Sequence, residues 1–282
     1  MNFQLLENID LSQIDKDIPK ECKMRTELTL VQLRALLLQN EKLRDKKRLV
    51  IGLCGGSGSG KSVMAGLLCT LLNGAGLKTI IMTGDNVPRR IPRLNDSERV
   101  TIFRNAGTKA LVKAGLYSKA AQKKLNEWMK DFTDASYEYV KENPWFQTYL
   151  DEGKKALERY LGSPLEQDFD YCNEILQAFK NGEKKVWLKN LGREEDSLCY
   201  EEEDFSDKDI MILEWTHANS NYVIGVDIPI FLESTVEETL EFRLQRNRDT
   251  YIDSPFLMMV LGIEQAQLIS QKPKALIKIK RF

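Results

Sequence analysis

The sequence predicts an α/β fold, in which a mainly parallel sheet lies between layers of helices. The first observation is an apolar run, Leu49 to Cys54, that has the character of a buried strand and leads through a glycine-rich loop into a helix ending near Asn73-Gly74. The second is a series of later strand-like runs separated by helical segments. Strands and helices that alternate along a chain form parallel sheets, because each helix returns the chain to the edge where the next strand starts.

The loop after this first strand has the spacing G-x-x-x-x-G-K-S, which is typical of phosphate-binding loops. Glycines let the chain turn so that backbone N–H groups face phosphate oxygens, the lysine reaches the β- and γ-phosphates, and the last hydroxyl is a ligand for Mg²⁺. The order strand, loop, helix disfavours a chance glycine-serine turn, and we predict a site for a nucleoside triphosphate with Mg²⁺. The predicted nucleotide-binding residues are Gly55, Gly56, Ser57, Gly58, Ser59, Gly60, Lys61 and Ser62, with Lys61 also catalytic and Ser62 also a metal ligand.

Composition excludes several classes of protein. The chain has 282 residues, of which 42% are hydrophobic, enough for a packed core. With 41 basic and 42 acidic side chains it has no general attraction to nucleic acid or to an anionic membrane. We find neither a secretory signal nor an apolar run of about 18 residues, and we expect a cytoplasmic protein that binds no nucleic acid and no membrane. The cysteines form no C-x-x-C pair and are expected to be buried thiols: Cys22, Cys54, Cys69, Cys172 and Cys199.

The chain is expected to divide into an extension and a larger domain. Residues 1–48 are mostly polar, but leucines share one helical face between Thr29 and Leu43, namely Leu30, Leu33, Leu37 and, as a further candidate, Leu36. We interpret 1–48 as a helical extension packed on the core, and 49–282 as the phosphate-loop domain with a helical insertion at about 96–162. The aromatic residues of the insertion are interpreted as its core rather than as a base-stacking surface: Phe103, Trp128, Tyr137, Tyr139, Trp145 and Tyr149.

Local signals predict the remaining elements. A short strand is expected over 79–82, and central strands over 185–188, 209–214 and 226–232. A capping box, Ser234-x-x-Glu237, predicts a helix from Ser234 to about Arg248. Ser254 followed by Pro255 predicts the start of another helix that ends near Gln271, and alternation over 275–280 predicts a terminal strand.

Polar residues follow two of these strands, at the edge where α/β sheets place ligands. Asp85 follows the strand over 79–82, where its carboxylate can accept a proton from a substrate hydroxyl; the alternative is a turn-forming aspartate in Gly-Asp-Asn. Glu214 ends the run from Ile210 and is expected to hold Mg²⁺ directly or through water, the alternative being a structural glutamate. His217, the single histidine, either contacts substrate or is a hydrogen-bonded structural residue.

Two groups of arginines are candidates for neutralising phosphate charge. Arg243, Arg246 and Arg248 crowd the end of the helix predicted from Ser234. They either complement the helix dipole or form a lid on the triphosphate, with Arg243 and Arg246 catalytic and Arg248 nucleotide-binding. A second group lies in a proline-bounded loop and either binds an anionic acceptor or forms a solvated basic turn: Arg89, Arg90 and Arg93.

Four segments together resemble the phosphoribulokinase/uridine kinase family: the loop Gly55 to Ser62, the strand end Thr83-Gly84-Asp85, Glu214, and the segment Arg243 to Asp249. A weaker match is Gly162-Ser163-Pro164 with Asp168 and Asp170. The resemblance implies a three-layer P-loop NTPase fold and phosphorylation by Mg·ATP of a hydroxyl on a small metabolite, such as a sugar, a sugar phosphate or a nucleoside. It also implies that Asp85 is the catalytic aspartate, that Glu214 is the acid after the later strand, and that Arg243 and Arg246 are lid arginines.

Two kinds of function remain open at this point. The leading hypothesis is an ATP-dependent kinase acting on a small hydroxyl-bearing metabolite. The alternative is a nucleotide-binding regulatory or switch protein without a metabolite acceptor, although the absence of an Asn-Lys-x-Asp element disfavours a guanine-nucleotide switch. Intact Lys61 and Ser62 disfavour a vestigial loop. The helical insertion either covers the acceptor pocket or forms a contact in a homodimer.

Overall fold

The computed structural model describes residues 6, 9, 18–194, 197–241, 243 and 254–281. These residues belong to two compact units. The first unit takes in the described parts of 1–88, 168–240 and 268–282, and the second takes in those of 89–167 and 241–267. The phosphate loop lies in the first unit.

The first unit is built on a five-stranded sheet in which every paired strand is parallel. The strands of the described chain are β1 Leu49–Gly55, β2 Thr79–Thr83, β3 Lys185–Asn190, β4 Cys199–Asp204, β5 Ile210–Glu214, β6 Ile228–Leu232 and β7 Ile277–Ile279. Their order in the large sheet is β2-β5-β1-β6-β7, which places β1 at the centre. The parallel α/β sheet predicted from the sequence is confirmed, and so is the terminal strand.

Helices cover the sheet on two faces. The α-helices with described bounds are α1 Lys20–Gln39, α2 Glu41–Arg44, α3 Lys61–Gly74 and α7 Phe169–Asn181 in the first unit, α4 Pro92–Lys113, α5 Lys119–Lys130 and α6 Phe146–Tyr160 in the second, and the helix Pro255–Gln271, whose residues are divided between the two. Leu49, Ile51 and Leu53 of β1 belong to an apolar cluster with leucines of α1 and α3. Val50 and Cys54 belong to a second cluster with residues of α7. Since neighbouring residues of β1 enter different clusters, the first unit has three layers, helix, sheet and helix.

The N-terminal helix α1 is part of this core. The predicted apolar face is confirmed, because Leu30, Leu33 and Leu37 are buried and Leu36 packs against the same cluster. The helix begins earlier than the leucine pattern suggests, at Lys20, and it ends at Gln39. Asn40 then accepts a hydrogen bond from Leu43 N at 3.2 Å and caps the separate helix α2, which interrupts the amphipathic stretch expected to continue to Leu43.

The strand expected over 185–188 is present, but it is not a central strand. β3 pairs antiparallel with β4 in a separate two-stranded sheet. β3 is only partly buried, with Trp187 59% exposed, whereas every residue of β5 is buried. A partly exposed strand fits a hairpin at the surface better than the middle of a parallel sheet. The acidic partner strand, Cys199–Asp204, was not anticipated.

Two helix starts differ from the expectation by a few residues. The insertion begins at Pro92, which occupies the first turn of α4, rather than at Asp96. The capping box before the arginine-rich segment uses Thr235 and Glu238, because Thr235 N donates to Glu238 Oε2 at 2.8 Å and Glu238 N donates to Thr235 Oγ1 at 3.2 Å. Residues 236–239 form a turn and helix begins at Leu240, later than expected, while the predicted end at Arg248 lies outside the described residues. The predicted cap of the later helix is confirmed, since Leu257 N donates to Ser254 Oγ at 3.2 Å.

The second unit has a core of its own, rich in aromatic rings. Phe103 of α4 and Tyr149 of α6 are buried and meet edge to face, with ring centroids 5.3 Å apart. Arg104 Nε and Tyr149 Oη both donate to Asp134 Oδ2 at 2.9 Å, so a buried polar network lies among the rings. Burial and the carboxylate of Asp134 raise the pKa of Tyr149. Phe103 and Tyr149 therefore belong to the core of the insertion, as the sequence predicted, whereas Tyr137 is 48% exposed and does not.

The state of the cysteines follows from where each lies. All five are free thiols, and Cys54 and Cys172 are buried. Burial raises the pKa of each of these two thiols to about 12. Cys199 is exposed, contrary to the expectation, because it begins the exposed strand β4. In the part of the chain that the structure describes, no helix is both long and apolar enough to span a membrane.

Asp227, directly before β6, holds that strand beside β1. Its carboxylate accepts hydrogen bonds from Val50 N at 2.9 Å and from Lys180 Nζ at 2.8 Å, and it also pairs with Lys46. The Asp227 side chain is only 3% exposed. The carboxylate therefore neutralises two ammonium groups and satisfies one backbone donor at the start of the sheet.

We expect Asp227→Ala to lower the free energy of unfolding by about 1 to 3 kcal/mol, because the buried N–H of Val50 loses its acceptor and two partly exposed ammonium groups lose their counter-charge. Urea denaturation followed by circular dichroism measures this change. Asp207→Ala is the matched control, since the Asp207 side chain is 61% exposed in its ion pair with Lys208. Exposed pairs contribute about 0 to 1 kcal/mol. Equal losses in the two variants would contradict the role given to Asp227.

Candidate functional site

The phosphate loop joins the carboxyl end of β1 to the start of α3. Gly58 and Gly60 have φ values of 76° and 88°, in the left-handed region that glycine adopts without strain. A hydrogen bond from Ser59 N to Gly56 O, 3.2 Å long, closes a turn inside the loop. α3 starts at Lys61, and its first N–H groups have no acceptor within the helix. Exposed N–H groups and the helix dipole make this end of α3 suited to an anion.

The side chains of the loop add donors to this backbone cradle. Lys61 is half-buried, and its Nζ donates to Gly56 O at 3.0 Å, so the ammonium group lies back against the loop. Ser62 is exposed, which leaves its hydroxyl accessible. Ser59 is 2% exposed, and its Oγ has no hydrogen-bond partner within the described residues. A cradle of N–H groups with an ammonium group and hydroxyls has the donor chemistry that a polyphosphate with Mg²⁺ requires.

Glu214 lies at the same edge of the sheet as this loop. It ends β5, where it is opposite Leu53 of β1 on one side and Thr83 of β2 on the other. The backbone after it is fixed to β1, because Trp215 N donates to Leu53 O at 3.1 Å. The Glu214 side chain is buried, at 7% exposure. Its position beside the loop is the one expected of an acid that holds Mg²⁺, and its part in metal binding stays a prediction.

Asp85 lies in the turn that follows β2. Residues Gly84–Asn86 form one turn of 3-10 helix, and Asp85 N donates to Thr83 Oγ1 at 3.3 Å. The carboxylate is exposed at the carboxyl edge of the sheet, beside the strand that ends in Glu214. A Cβ added at Gly84 would lie 1.9 Å from Cγ of Trp215. The absence of a side chain at Gly84 therefore lets Trp215 pack directly against the turn that carries Asp85.

His217 is also near the end of β5, but it is enclosed. Its ring packs edge to face against Trp215, with centroids 5.2 Å apart, and the side chain is 7% exposed. The neighbouring backbone is attached to β1 through a hydrogen bond from Cys54 Sγ to Thr216 O at 3.1 Å. These contacts support the structural alternative for His217, and its contact with substrate stays a prediction.

The β3–β4 hairpin is anchored beside the Asp85 turn. Leu191 N donates to Asn86 Oδ1 at 3.0 Å, and Lys189 Nζ donates to Pro88 O at 3.1 Å. Lys189 is 7% exposed, and its ammonium lies 5.1 Å from the centroid of the Tyr171 ring. The sequence did not single out Asn86 or Lys189, because the hydrogen bonds that place them join segments about 100 residues apart.

Among the arginine candidates, Arg89, Arg90, Arg93 and Arg243 belong to the second unit. Arg89 Nε donates to Pro164 O at 2.8 Å, and Arg90 Nη1 donates to Tyr160 Oη at 3.2 Å. These bonds support a role in holding the segment after α6, and acceptor binding by Arg89, Arg90 and Arg93 stays a prediction. Arg243 is buried, at 2% exposure. Arg246 and Arg248 lie outside the described residues, so the lid role of all three arginines also stays a prediction.

Arg25 is a residue beside the loop that the sequence analysis missed. Its Nη1 donates to Ser59 O at 2.8 Å from the buried face of α1. A signal was present, because Arg25 shares the i, i+4, i+8 spacing of Thr29 and Leu33, and so lies in line with the apolar face of the helix.

Gly84→Ala is expected to lower the free energy of unfolding by about 1 to 3 kcal/mol, because the added methyl group overlaps Trp215 and must displace it. Gly66→Ala is the matched control, since a Cβ at Gly66 in α3 meets nothing within 4 Å. There the change is expected to be neutral or to stabilise the fold by about 0.5 to 1 kcal/mol. Urea denaturation compares the two variants, and equal stability would contradict the close packing of Trp215 on Gly84.

The chain resembles known proteins both in sequence and in fold. No family model matches the chain. Over 230 residues, 82% of its length, the chain is 34% identical to the bifunctional alpha-galactosidase/sucrose kinase AgaSK of Mediterraneibacter gnavus. The match takes in 20% of that protein, so the chain spans about a fifth of this relative's length.

Solved structures resemble the chain over most of its length. One is described as a "possible uridine kinase" from Bacillus stearothermophilus, with a TM-score of 0.50 and 15% identity, covering 91% of this chain and 99% of that one. Another is described as a "putative fructose transport system kinase" from Silicibacter sp. TM1040, with a TM-score of 0.50 and 14% identity, covering 94% and 100%. These similarities bear out the resemblance drawn from the sequence and the predicted three-layer fold. With its parallel sheet and phosphate loop, the chain has the fold of the P-loop kinases.

Proposed function

We propose that this protein is an ATP-dependent kinase that transfers the γ-phosphoryl group to a hydroxyl of a small metabolite. One observation carries the proposal: a phosphate loop with intact Lys61 and Ser62 shares one sheet edge with Asp85 and Glu214. Phosphoryl transfer needs little beyond held phosphates, a neutralised charge and a positioned nucleophile. The residues at this edge provide a candidate for each requirement.

The loop and Glu214 are assigned to the nucleotide. N–H groups of the loop and of the first turn of α3 hold the phosphates, and Lys61 neutralises charge on the β- and γ-phosphates. Ser62 and Glu214 hold Mg²⁺ together with phosphate oxygens and water, which is how magnesium is commonly bound at nucleotide sites. When bound, Mg·ATP supplies the phosphoryl group and an electrophilic phosphorus. The described residues contain no group of three or more His, Cys, Asp or Glu that could hold a metal alone.

Asp85 is assigned to the acceptor. Its exposed carboxylate accepts the proton of the attacking hydroxyl, and the packing of Trp215 on Gly84 fixes the turn that carries it. We place the acceptor beside this turn and the end of β3, which Asn86 holds nearby. Lys189 fixes the backbone that follows the turn, because its buried ammonium group donates to Pro88 O.

A sugar is the first acceptor class to test, ahead of sugar phosphates and nucleosides. The name of the relative from Mediterraneibacter gnavus, 34% identical over the matched segment, includes a sucrose kinase. We further propose that the protein acts in the cytoplasm. A measurement of its molar mass in solution tests the homodimer predicted from the sequence.

The first test is an acceptor panel with Mg·ATP, in which ADP release and the mass of the product are measured. At least one sugar, sugar phosphate or nucleoside is expected to raise ADP release above basal hydrolysis and to gain one phosphoryl group. Binding of Mg·ATP without stimulation by any acceptor would instead favour a nucleotide-dependent switch.

Lys61→Ala is expected to raise the activation free energy of phosphoryl transfer by about 2 to 4 kcal/mol, because one preorganised electrostatic donor is lost.

Asp85→Asn tests the proton acceptor. It is expected to lower kcat by about 100-fold or more, because general base catalysis contributes about 10²- to 10⁴-fold, and to leave the KM for ATP nearly unchanged. Steady-state kinetics with the acceptor found above separate the two parameters. Asp207→Asn, which removes an exposed carboxylate from the same unit, is the control and is expected to behave as the wild type. An unchanged kcat in Asp85→Asn would remove Asp85 from the chemistry.

A further inference from the structure

A buried arginine of the N-terminal helix contacts the phosphate loop from outside. Arg25 of α1 is 4% exposed, and its Nη1 donates to Ser59 O at 2.8 Å. A Cβ placed on Gly60 would be 4.0 Å from the same Nη1 atom, so the guanidinium lies along the Ser59–Gly60 peptide. The loop is thus held from its outer side by a residue that precedes β1 by more than 20 positions.

The position of Arg25 is fixed by the packing of its helix. α1 contacts both α3 and β7, and Leu33 and Leu37 of its buried face lie in the same apolar cluster as the sheet. Thr29, one turn after Arg25, is buried, and its hydroxyl donates to Arg25 O at 2.8 Å. The guanidinium therefore reaches the loop from a rigid support rather than from a mobile tail.

Burial of this guanidinium has a free-energy cost that the contact with Ser59 does not offset. Within the described part of the chain, Arg25 Nε and Nη2 have no hydrogen-bond partner. Each buried donor without a partner costs about 1 to 3 kcal/mol. Burial also lowers the pKa of Arg25, although Glu21 acts in the opposite direction. Since an apolar side chain would fill the same place at a lower cost, fold stability alone does not account for an arginine here.

The contact involves a peptide of the proposed phosphate cradle. In the peptide between Ser59 and Gly60, the carbonyl accepts the hydrogen bond from the guanidinium, and the N–H of Gly60 points the opposite way because the peptide is trans. A charged donor on the carbonyl polarises the peptide and makes its N–H a stronger donor. It also holds Gly60 in its left-handed conformation, with φ at 88°. The buried positive charge of Arg25 beside the loop is screened little by salt, and it adds to the attraction of the loop for a polyphosphate.

Further charges connect Arg25 with the end of the chain. Glu21, one turn earlier on α1, forms an ion pair with Arg281, with Nε and Oε1 3.2 Å apart. Arg281 Nη1 in turn donates to Glu238 O at 2.8 Å, in the capping turn that precedes the arginine-rich segment. Glu21 thus places negative charge near Arg25 and is itself held by the C-terminal strand region.

We infer that Arg25 is a positioning residue for the nucleotide, because it holds and polarises the Ser59–Gly60 peptide of the phosphate loop. Helix α1 thereby contributes to the ATP site. The inference rests on the proposed function, because it assigns Arg25 to the binding of Mg·ATP. It is a new role for the N-terminal extension, which the sequence had suggested only as a packing element.

The test is calorimetric titration of the full chain with AMPPNP and Mg²⁺. Arg25→Gln is expected to raise the Kd about tenfold or more, through the loss of a charge-assisted hydrogen bond and a buried charge. Arg25→Lys is expected to raise it about fivefold, because an ammonium group keeps the charge but not the planar fork. Arg34→Gln removes the same charge from an exposed position of the same helix, and its Kd is expected to stay within about twofold of the wild type.

Thermal unfolding without nucleotide separates a positioning role from a structural one. A lower Tm with an unchanged Kd in Arg25→Gln would make Arg25 a structural residue and overturn the inference while leaving the proposed function intact. If Arg25→Gln does not fold, Arg25→Lys decides, and a Kd equal to that of the wild type overturns the inference. If the wild type itself binds no AMPPNP with Mg²⁺, the proposed function fails, and the inference fails with it.

Discussion

The parallel register of β1, β5 and β2 is the constraint on which the candidate site depends. Leu53 lies opposite Glu214, and Thr83 lies opposite the same residue on the other side. Because parallel strands in register end at one edge, the loop after β1, the turn after β2 and the acid that ends β5 meet there. A shift of one residue would turn Glu214 toward the other face of the sheet and would separate Trp215 from Gly84. The geometry of the candidate site therefore depends on this strand pairing.

Stability and function are carried by different parts of the first unit. Apolar clusters on both faces of the sheet contain fully buried side chains such as Ile51 and Leu213, each contributing about 1.5 to 3 kcal/mol relative to an exposed position. The carboxyl edge holds groups that are costly to bury, namely Glu214 and Arg25. A sheet with two well-packed faces can tolerate these costs at one edge, where the groups are in place before a ligand arrives.

How much the sequence could predict depended on whether a signal was local. The strands β1 and β5 were predictable because both of their faces are buried, which produces continuous apolar runs. The strand at 185–190 was also found, but its partner was not, since strand propensity says nothing about which edge a strand will join. The capping box was displaced by one residue because Ser234 with Glu237 and Thr235 with Glu238 fit the same pattern equally well.

The sequence by itself determined the phosphate loop, the strand before it and the acids at the ends of the neighbouring strands, because a few consecutive residues specify each of them. Only the tertiary structure decided that the turn of Asp85 packs under Trp215, that Asn86 holds a hairpin and that Arg25 reaches the loop. Contacts of this kind join residues from 34 to 131 positions apart, and they depend on how the layers pack rather than on any local preference. The loop could be recognised in the sequence, whereas the contacts that support it form only in the folded protein.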